Sequence, residues 1–187
     1  MELPGAISST LLILTLESRI MDLYALAPWF NPISDGVNHD QLRILHTKFI
    51  DDFVKNPFTV EGKKIRIIER AAKVTEYSQY CETFFHLITR KSEIANARLY
   101  TSERANRIHW IKPILLSHPS NQVKYFKWRD DKGLCKEHYW FFQGDFIVVT
   151  RDLAPDVRIV TAFCVDEDSK PTYWERFADY RDKRFDC

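Results

Sequence analysis

Four β-rich runs in the last third of the chain constrain its fold more than any other feature. Aromatic and β-branched residues dominate each run, and short polar segments such as DDKG, QG and DLAPD separate them. Segments this short join neighbouring antiparallel strands, so the pattern predicts an antiparallel meander. The four runs are VKYFKWR (123–129), CKEHYWFF (135–142), DFIVVTR (145–151) and VRIVTAFCV (157–165).

Most of the remaining chain carries helical patterns, in which apolar residues recur at three- and four-residue spacing. Asn38 can cap one of these helices, and Pro57 can end it. The predicted elements are helices at 7–27, 39–56, 102–115 and 171–183, a strand at FFHLIT (84–89), and a hairpin at FTVEGKKIRIIE (58–69).

This order of elements predicts an α+β fold. We expect N-terminal helices, then a twisted antiparallel sheet of four to five strands, then a short C-terminal helix. Residues 1–56 would form the helical part and residues 57–187 the sheet-containing domain. No linker rich in Gly, Ser and Pro separates them, so we expect one compact unit.

The cysteines and the apolar segment near the start of the chain bear on where the protein works. None of the four cysteines forms a CxxC pair or has zinc-ligand spacing. We therefore expect reduced thiols, a cytoplasmic protein and no metal site, with a disulfide as the alternative. Glu17, Arg19 and Asp22 interrupt the apolar segment, so it predicts a buried helix and no membrane span or signal peptide.

Charge is distributed unevenly along the chain. Residues 63–151 carry 17 basic and 9 acidic side chains, a net charge of +8, whereas residues 1–62 carry −4 and residues 152–187 carry −3. A basic middle segment is typical of a polyanion-binding surface. Ordinary scatter of surface charge is the alternative.

Arg104 and Arg107 lie on the same side of the predicted helix 102–115 as Ile108 and Ile111. A guanidinium keeps its proton at neutral pH and is costly to bury without an anion. The sequence leaves two anions open. One is a sheet carboxylate such as Asp145, and the other is a bound phosphate.

Other polar residues are candidates for a site. In the predicted strand FFHLITR, His86 and Arg90 would share one face, so His86 is a candidate general base or a hydrogen-bonded core histidine. Thr161 in IVTAFCV could contact a phosphate oxygen or be an ordinary strand residue. Lys127, beside Trp128, and Arg151, at a strand end, are candidate RNA-binding residues.

Four segments in this order resemble a phage- and toxin-associated branch of a metal-independent nuclease superfamily. They are FFHLITR, RANRIHWIKPIL, HYWFFQGDFIVVTR and VRIVTAFCV, and the resemblance covers about residues 57–187. The superfamily, called the BECR fold, contains barnase, EndoU, nuclease colicins and RelE-like toxins. Residues 1–56 lie outside the resemblance and would be an added helical cap.

The resemblance implies RNA cleavage without a metal or another cofactor. The ribose 2′-hydroxyl would attack the adjacent phosphate and leave a cyclic phosphate, which requires a base, an acid and cations. It implies that His86 acts as base or acid, that Arg104 and Arg107 hold the phosphate, and that Thr161 matches the polar position of a TAF-like motif. Arg90 or Arg151 would support them. The spacing identifies no second acid among Tyr180, Arg184 and Lys127.

The predicted function is therefore a metal-independent endoribonuclease acting on RNA in a toxin or phage-conflict setting. A protein inhibitor, such as an antitoxin or immunity protein, would be a second partner. The alternative is a non-catalytic module that binds nucleic acid or a protein, including a phage accessory protein.

Overall fold

The computed structural model describes residues 22–92, 94, 97–185 and 187. Most of the predicted helix 7–27 lies outside these residues, and its described end contains a single 3₁₀ turn, Leu23–Ala25. No helix in the described part of the chain is both long enough and apolar enough to cross a membrane.

Five α-helices and eight β-strands make up the described fold. The helices are α1 (His39–Ile50), α2 (Glu82–Ile88), α3 (Ser102–Ala105), α4 (Ile111–Leu116) and α5 (Lys170–Arg181). The strands are β1 (Thr59–Val60), β2 (Lys63–Arg66), β3 (Thr89–Lys91), β4 (Arg98–Tyr100), β5 (Val123–Arg129), β6 (Cys135–Phe141), β7 (Phe146–Leu153) and β8 (Asp156–Cys164).

Six of these strands form one sheet, in the order β1-β2-β8-β7-β6-β5. The α+β class and the meander β5–β8 are confirmed, but the expected count of four to five strands is wrong. The hairpin β1–β2 joins the meander because β2 pairs in parallel with the start of β8. Strands β3 and β4 form a separate antiparallel pair.

The sheet is covered on both faces. One face packs against α1, α2 and α4 in a large core that includes Leu45, Phe84 and Ile114. The other face packs against α5 around a smaller cluster that includes Trp140 and Ile147. Helix α1 begins as predicted, because the Asn38 side chain accepts hydrogen bonds from the first free backbone N–H groups.

Two predicted elements differ in the structure. FFHLIT was predicted as a strand, but its residues belong to α2, apart from Thr89, which begins β3. Phe84, Leu87 and Ile88 face the core at helical spacing, and this packing overrides the β preference of the aromatic residues.

The single helix predicted at 102–115 is interrupted between α3 and α4. Asn106 is buried, and its side-chain amide both donates to and accepts from the backbone of Phe30. Arg107 has a non-helical backbone conformation, and a 3₁₀ turn, Ile108–Trp110, follows it. The hydrogen bonds between the Asn106 side chain and the backbone of Phe30 thus stabilise a break in the helix at this position.

The expectation of four reduced thiols is also wrong. Cys135, at the start of β6, forms a disulfide with Cys187. Cys81 and Cys164 are free thiols.

Candidate functional site

The second half of β8 is an open edge of the sheet. Within β8, only Val157 and Arg158 pair with β2. No described strand therefore pairs with this edge along residues 159–164. Helices α2 and α3 pack against β8 instead. One cleft lies at this end of β8, and a second lies on the sheet face beneath α5.

The larger cleft has a volume of about 620 Å³. We call it the arginine cleft. Its lining comes from the loop before α1, β3, the end of β4, α3, the end of β8 and the segment after it: Asp35, Arg90, Tyr100, Thr101, Ser102, Glu103, Arg104, Cys164, Val165, Asp166 and Glu167.

Arg104 is the central cation of the arginine cleft. Its guanidinium lies 5.6 Å from the centre of the Phe163 ring, and Nη1 donates a long 3.4 Å hydrogen bond to the carbonyl of Thr89. Burial lowers the pKa of Arg104, and the nearby positive charges of Arg98 and Arg90 lower it further. Four carboxylates line the cleft, yet none of the described ones forms an ion pair with Arg104 or Arg90. The cleft therefore contains two arginines without an ion-pair partner among the described residues, together with four carboxylates.

Arg107 does not share this position. Its Nη1 donates to the carbonyl of Glu103 at 3.1 Å, and its guanidinium packs 5.1 Å from the ring centre of Trp110. It does not line the arginine cleft. Asp145, the carboxylate considered as a partner from the sequence, instead pairs with Lys170 at 2.8 Å. Burial raises the pKa of the Cys164 thiol, and the positive charges of Arg107 and Arg104 oppose that rise, so both arginines lie near Cys164. Only Arg104 lines the arginine cleft.

Arg98 is a residue that the sequence analysis missed. It donates to the Thr89 hydroxyl at 2.8 Å, to the Thr89 carbonyl at 2.9 Å and to the His86 carbonyl at 3.2 Å. These bonds fasten β4 to the end of α2 and position β3. Its role depends on the pairing of β3 with β4, for which the sequence carries no clear signal.

His86 lies on α2, next to this cluster but outside both clefts. Its Nε2 is 3.7 Å from Glu82, whose other oxygen accepts a 2.5 Å hydrogen bond from Arg70. Burial lowers the pKa of His86, with a further decrease from Arg98. The imidazole is therefore neutral at pH 7 and can accept a proton.

The second cleft, of about 220 Å³, lies between the sheet and α5. We call it the aromatic pocket. Thr161 lines it together with Phe163, whereas Ala162 belongs to the large core on the other face of the sheet. The full lining is Trp128, Arg129, Asp130, Asp131, Lys136, His138, Val149, Thr161, Phe163, Tyr173 and Arg176.

His138 is the buried polar group of the aromatic pocket. It is 8% exposed, and its ring stacks on Phe126 at 4.7 Å with an angle of 8° between the planes. Burial, and then the charge of Arg176, lowers the pKa of His138 to about 4. Its Nδ1 is buried and has no hydrogen-bond partner among the described residues. The surroundings of His138 come from Phe126 on the neighbouring strand and from Arg176 on α5, and the docking of α5 cannot be predicted from the residues beside His138 in the sequence.

The two clefts adjoin at two aromatic side chains. Phe163 lines the aromatic pocket and also packs against Arg104. Burial raises the pKa of Tyr173, and the positive charges of Arg176 and Arg104 oppose that rise. Tyr173 therefore lies close to one arginine from each cleft. Cations and aromatic rings alternate along this path, which is how proteins bind single-stranded nucleic acid.

The remaining predicted residues lie elsewhere. Lys127 pairs with Glu137 at 3.4 Å, and this buried carboxylate also accepts hydrogen bonds from Tyr125 and Thr150. Arg151 lies opposite Arg158 across the β7–β8 ladder and lines neither cleft.

The candidates for a second acid are no closer to the clefts. Tyr180 packs edge-on against Tyr125, and Arg184 pairs with Asp179 at 2.9 Å. Within the described residues, no three His, Cys, Asp or Glu side chains group as ligands for a metal ion.

Comparison of the chain with protein-family models, with curated proteins and with solved structures gives no significant match.

Proposed function

We propose that this protein is a metal-independent endoribonuclease of the BECR type, and that Arg104 holds the phosphate at which RNA is cut. The observation that carries the proposal is an inward-facing, half-buried arginine with no described carboxylate partner, in a cleft of about 620 Å³. The resemblance of residues 57–187 to that superfamily supports the choice of reaction.

In this reaction the 2′-oxygen attacks phosphorus and the 5′-oxygen leaves, so that a 2′,3′-cyclic phosphate remains. Negative charge accumulates on the phosphoryl oxygens in the transition state, and a fixed guanidinium stabilises it. Arg104 is well placed for this role because burial strengthens its field. Arg90, on the exposed rim of the same cleft, would bind a neighbouring phosphate.

The reaction also needs two proton transfers, one from the 2′-hydroxyl to a base and one from an acid to the departing 5′-oxygen. His86 is neutral and can accept the proton of a 2′-hydroxyl that reaches α2. The carboxylates of Glu103 and Glu167, which line the same cleft as Arg104, are the alternative bases. A toxin or phage-conflict setting, an inhibitor protein and a cytoplasmic location also belong to the proposal, although the thiol argument for the last no longer holds.

A non-catalytic RNA-binding module is the second candidate. It is favoured by one specific observation, namely that no described histidine lines the arginine cleft, whereas cations and aromatic rings line both clefts. Such a module would use the same surface without cutting the strand.

A cleavage assay in EDTA tests the proposal and separates the two candidates. We expect the wild-type protein to cut single-stranded RNA in EDTA and to leave cyclic phosphate ends. Arg104→Ala should lower the single-turnover rate by about 10²- to 10³-fold, the usual effect of losing one transition-state donor. Arg43→Ala, an exposed arginine on α1, is the matched control and should cut normally.

Two results would decide against the nuclease. Cleavage that stops in EDTA and returns with a divalent ion would exclude the proposed reaction. Binding of RNA without cleavage, weakened by Arg104→Ala but not by Arg43→Ala, would establish the non-catalytic module instead. His86→Ala, measured alongside, would remove cleavage only if His86 is the base or the acid.

A further inference from the structure

His138, which lines the aromatic pocket, has a buried ring nitrogen without a hydrogen-bond partner among the described residues. This nitrogen is Nδ1, and His138 is 8% exposed. A buried nitrogen in this condition costs free energy, since it has lost water and gained nothing in exchange. A ligand in the pocket that offers a donor or an acceptor to this ring would recover that free energy.

The walls of the pocket limit the shape of such a ligand. Trp128, Phe163 and Tyr173 supply aromatic surface, and Arg176 packs 5.4 Å and 5.3 Å from the ring centres of Trp128 and Tyr173. No described carboxylate pairs with Arg176. The volume of about 220 Å³ is below the range of about 300–1,000 Å³ that drug-sized ligands occupy. One small planar ring system with a hydrogen-bonding edge fits these limits.

We propose that the aromatic pocket binds one nucleobase of an RNA strand whose phosphate lies at Arg104. A nucleobase has the required flat faces and polar edge. Phe163 separates the pocket from Arg104, so base and phosphate sites are neighbours, as they are in a nucleotide. The inference rests on the proposed function, which places an RNA phosphate at Arg104. It adds that the protein recognises its RNA through one base bound in the pocket.

The test compares a short single-stranded RNA with an abasic ribose-phosphate strand of the same length, both fluorescently labelled, by anisotropy in EDTA at low temperature. His138→Phe keeps the ring that stacks on Phe126 and removes the nitrogens. We expect it to weaken binding of the RNA by about tenfold, the effect of one lost hydrogen bond, and to leave the abasic strand unaffected. Arg104→Ala should weaken both strands, and Arg43→Ala neither.

Each outcome decides the matter. RNA that binds more tightly than the abasic strand, with the difference removed by His138→Phe, supports the pocket. Equal binding of the two strands, unchanged by His138→Phe, overturns it while the phosphate site stands. If His138→Phe does not fold, Thr161→Val, which is nearly isosteric, replaces it with the same expectation.

Failure of both strands to bind would count against the proposed function. In that case, base binding in the pocket is tested separately by titrating the protein with free nucleosides. Chemical-shift changes at His138 and Trp128 on adding nucleosides, absent from His138→Phe, would support base binding. No change in the wild-type protein would overturn it.

Discussion

At the scale of single residues, the structure assigns different roles to Arg104 and Arg107. Arg104 faces a cleft and makes one long hydrogen bond, whereas Arg107 is held by the Glu103 carbonyl and the Trp110 ring. Lysine keeps the charge of arginine but lacks its planar fork. We therefore expect Arg104→Lys to lower single-turnover RNA cleavage by about 10²-fold with little loss of stability.

Arg107→Lys should have the opposite effects, lowering stability and leaving cleavage nearly unchanged. Losing the stacked guanidinium and its hydrogen bond should lower the free energy of unfolding by about 1–2 kcal/mol, and the folded protein should still cut RNA at close to the wild-type rate. Urea unfolding and cleavage rates, measured on both variants, check this pair of expectations. A large loss of stability in Arg104→Lys with normal cleavage would make Arg104 a structural residue.

His138 makes stability depend on pH. Its pKa is about 4 in the folded protein, against an ordinary value of 6.5. Between these values the unfolded chain binds the proton and the folded protein does not, so stability falls as pH decreases from 6.5 to 4. The slope that this group adds is at most about 1.4 kcal/mol per pH unit.

His138→Phe removes that contribution. Urea unfolding at several pH values should show wild type losing stability through this window and the variant losing measurably less, because other histidines with lowered pKa, such as His46, remain in both. Parallel profiles of unfolding free energy against pH for the two proteins would contradict this expectation, because they would show that folding does not lower the pKa of His138.

At the scale of elements, the disulfide fastens the end of the described chain to the β5–β6 hairpin. It joins residues 52 positions apart, and Phe185 stacks on Trp128 at 4.1 Å in the same region. Closing a loop of this length restricts the unfolded chain and contributes about 2–4 kcal/mol. Reduction should therefore lower the unfolding free energy by about this amount.

A paired cysteine variant checks this expectation. Cys135→Ser with Cys187→Ser should match the reduced wild-type protein and be insensitive to reductant. Cys81→Ser, which removes a free thiol, should keep the sensitivity. If reductant left the unfolding midpoint of the wild-type protein unchanged, the bond would contribute nothing to stability.

Elements with local signals could be predicted from the sequence, and elements decided by tertiary contacts could not. The meander follows from strand composition and short turns, and α1 from its spacing and the Asn38 cap. FFHLIT has strand-like composition, yet the fit of Phe84 and Ile88 into the core makes it helical. The break after α3 depends on hydrogen bonds from Asn106 to a loop 76 residues away.

The same distinction between local signals and tertiary contacts applies to the residues of the candidate site. Thr161 faces the aromatic pocket because strand alternation is a local rule. Arg104 was singled out because an inward-facing arginine is unusual. Arg98 and His138 were not found as site residues, since β3–β4 pairing and the docking of α5 create their surroundings.

At the scale of the whole molecule, the fold forms ion pairs between segments whose net charges differ in the sequence. Part of the positive charge of residues 63–151 is paired with the acidic segment that follows. Arg66 pairs with Asp156 at 2.5 Å, and Lys63 pairs with Asp152. Arg90 and Arg104, which line the arginine cleft, and Arg98 beside it are among the cations of this segment for which no ion pair is found with a described carboxylate.

If Arg104 contacts a phosphate, as proposed, RNA binding should depend on salt. Each phosphate that a cation neutralises releases counterions, and the logarithm of the association constant falls by about 0.7 per contact for each unit of log salt on single strands. Arg104→Ala should therefore weaken binding and also reduce this slope by about 0.7. Arg43→Ala should leave the slope unchanged, because Arg43 is already paired with Asp40 on α1. Anisotropy titrations from low to moderate salt give both slopes directly. A wild-type slope near zero would mean that the arginine cleft does not contact phosphate, and the cleft would then fit a protein partner better than RNA.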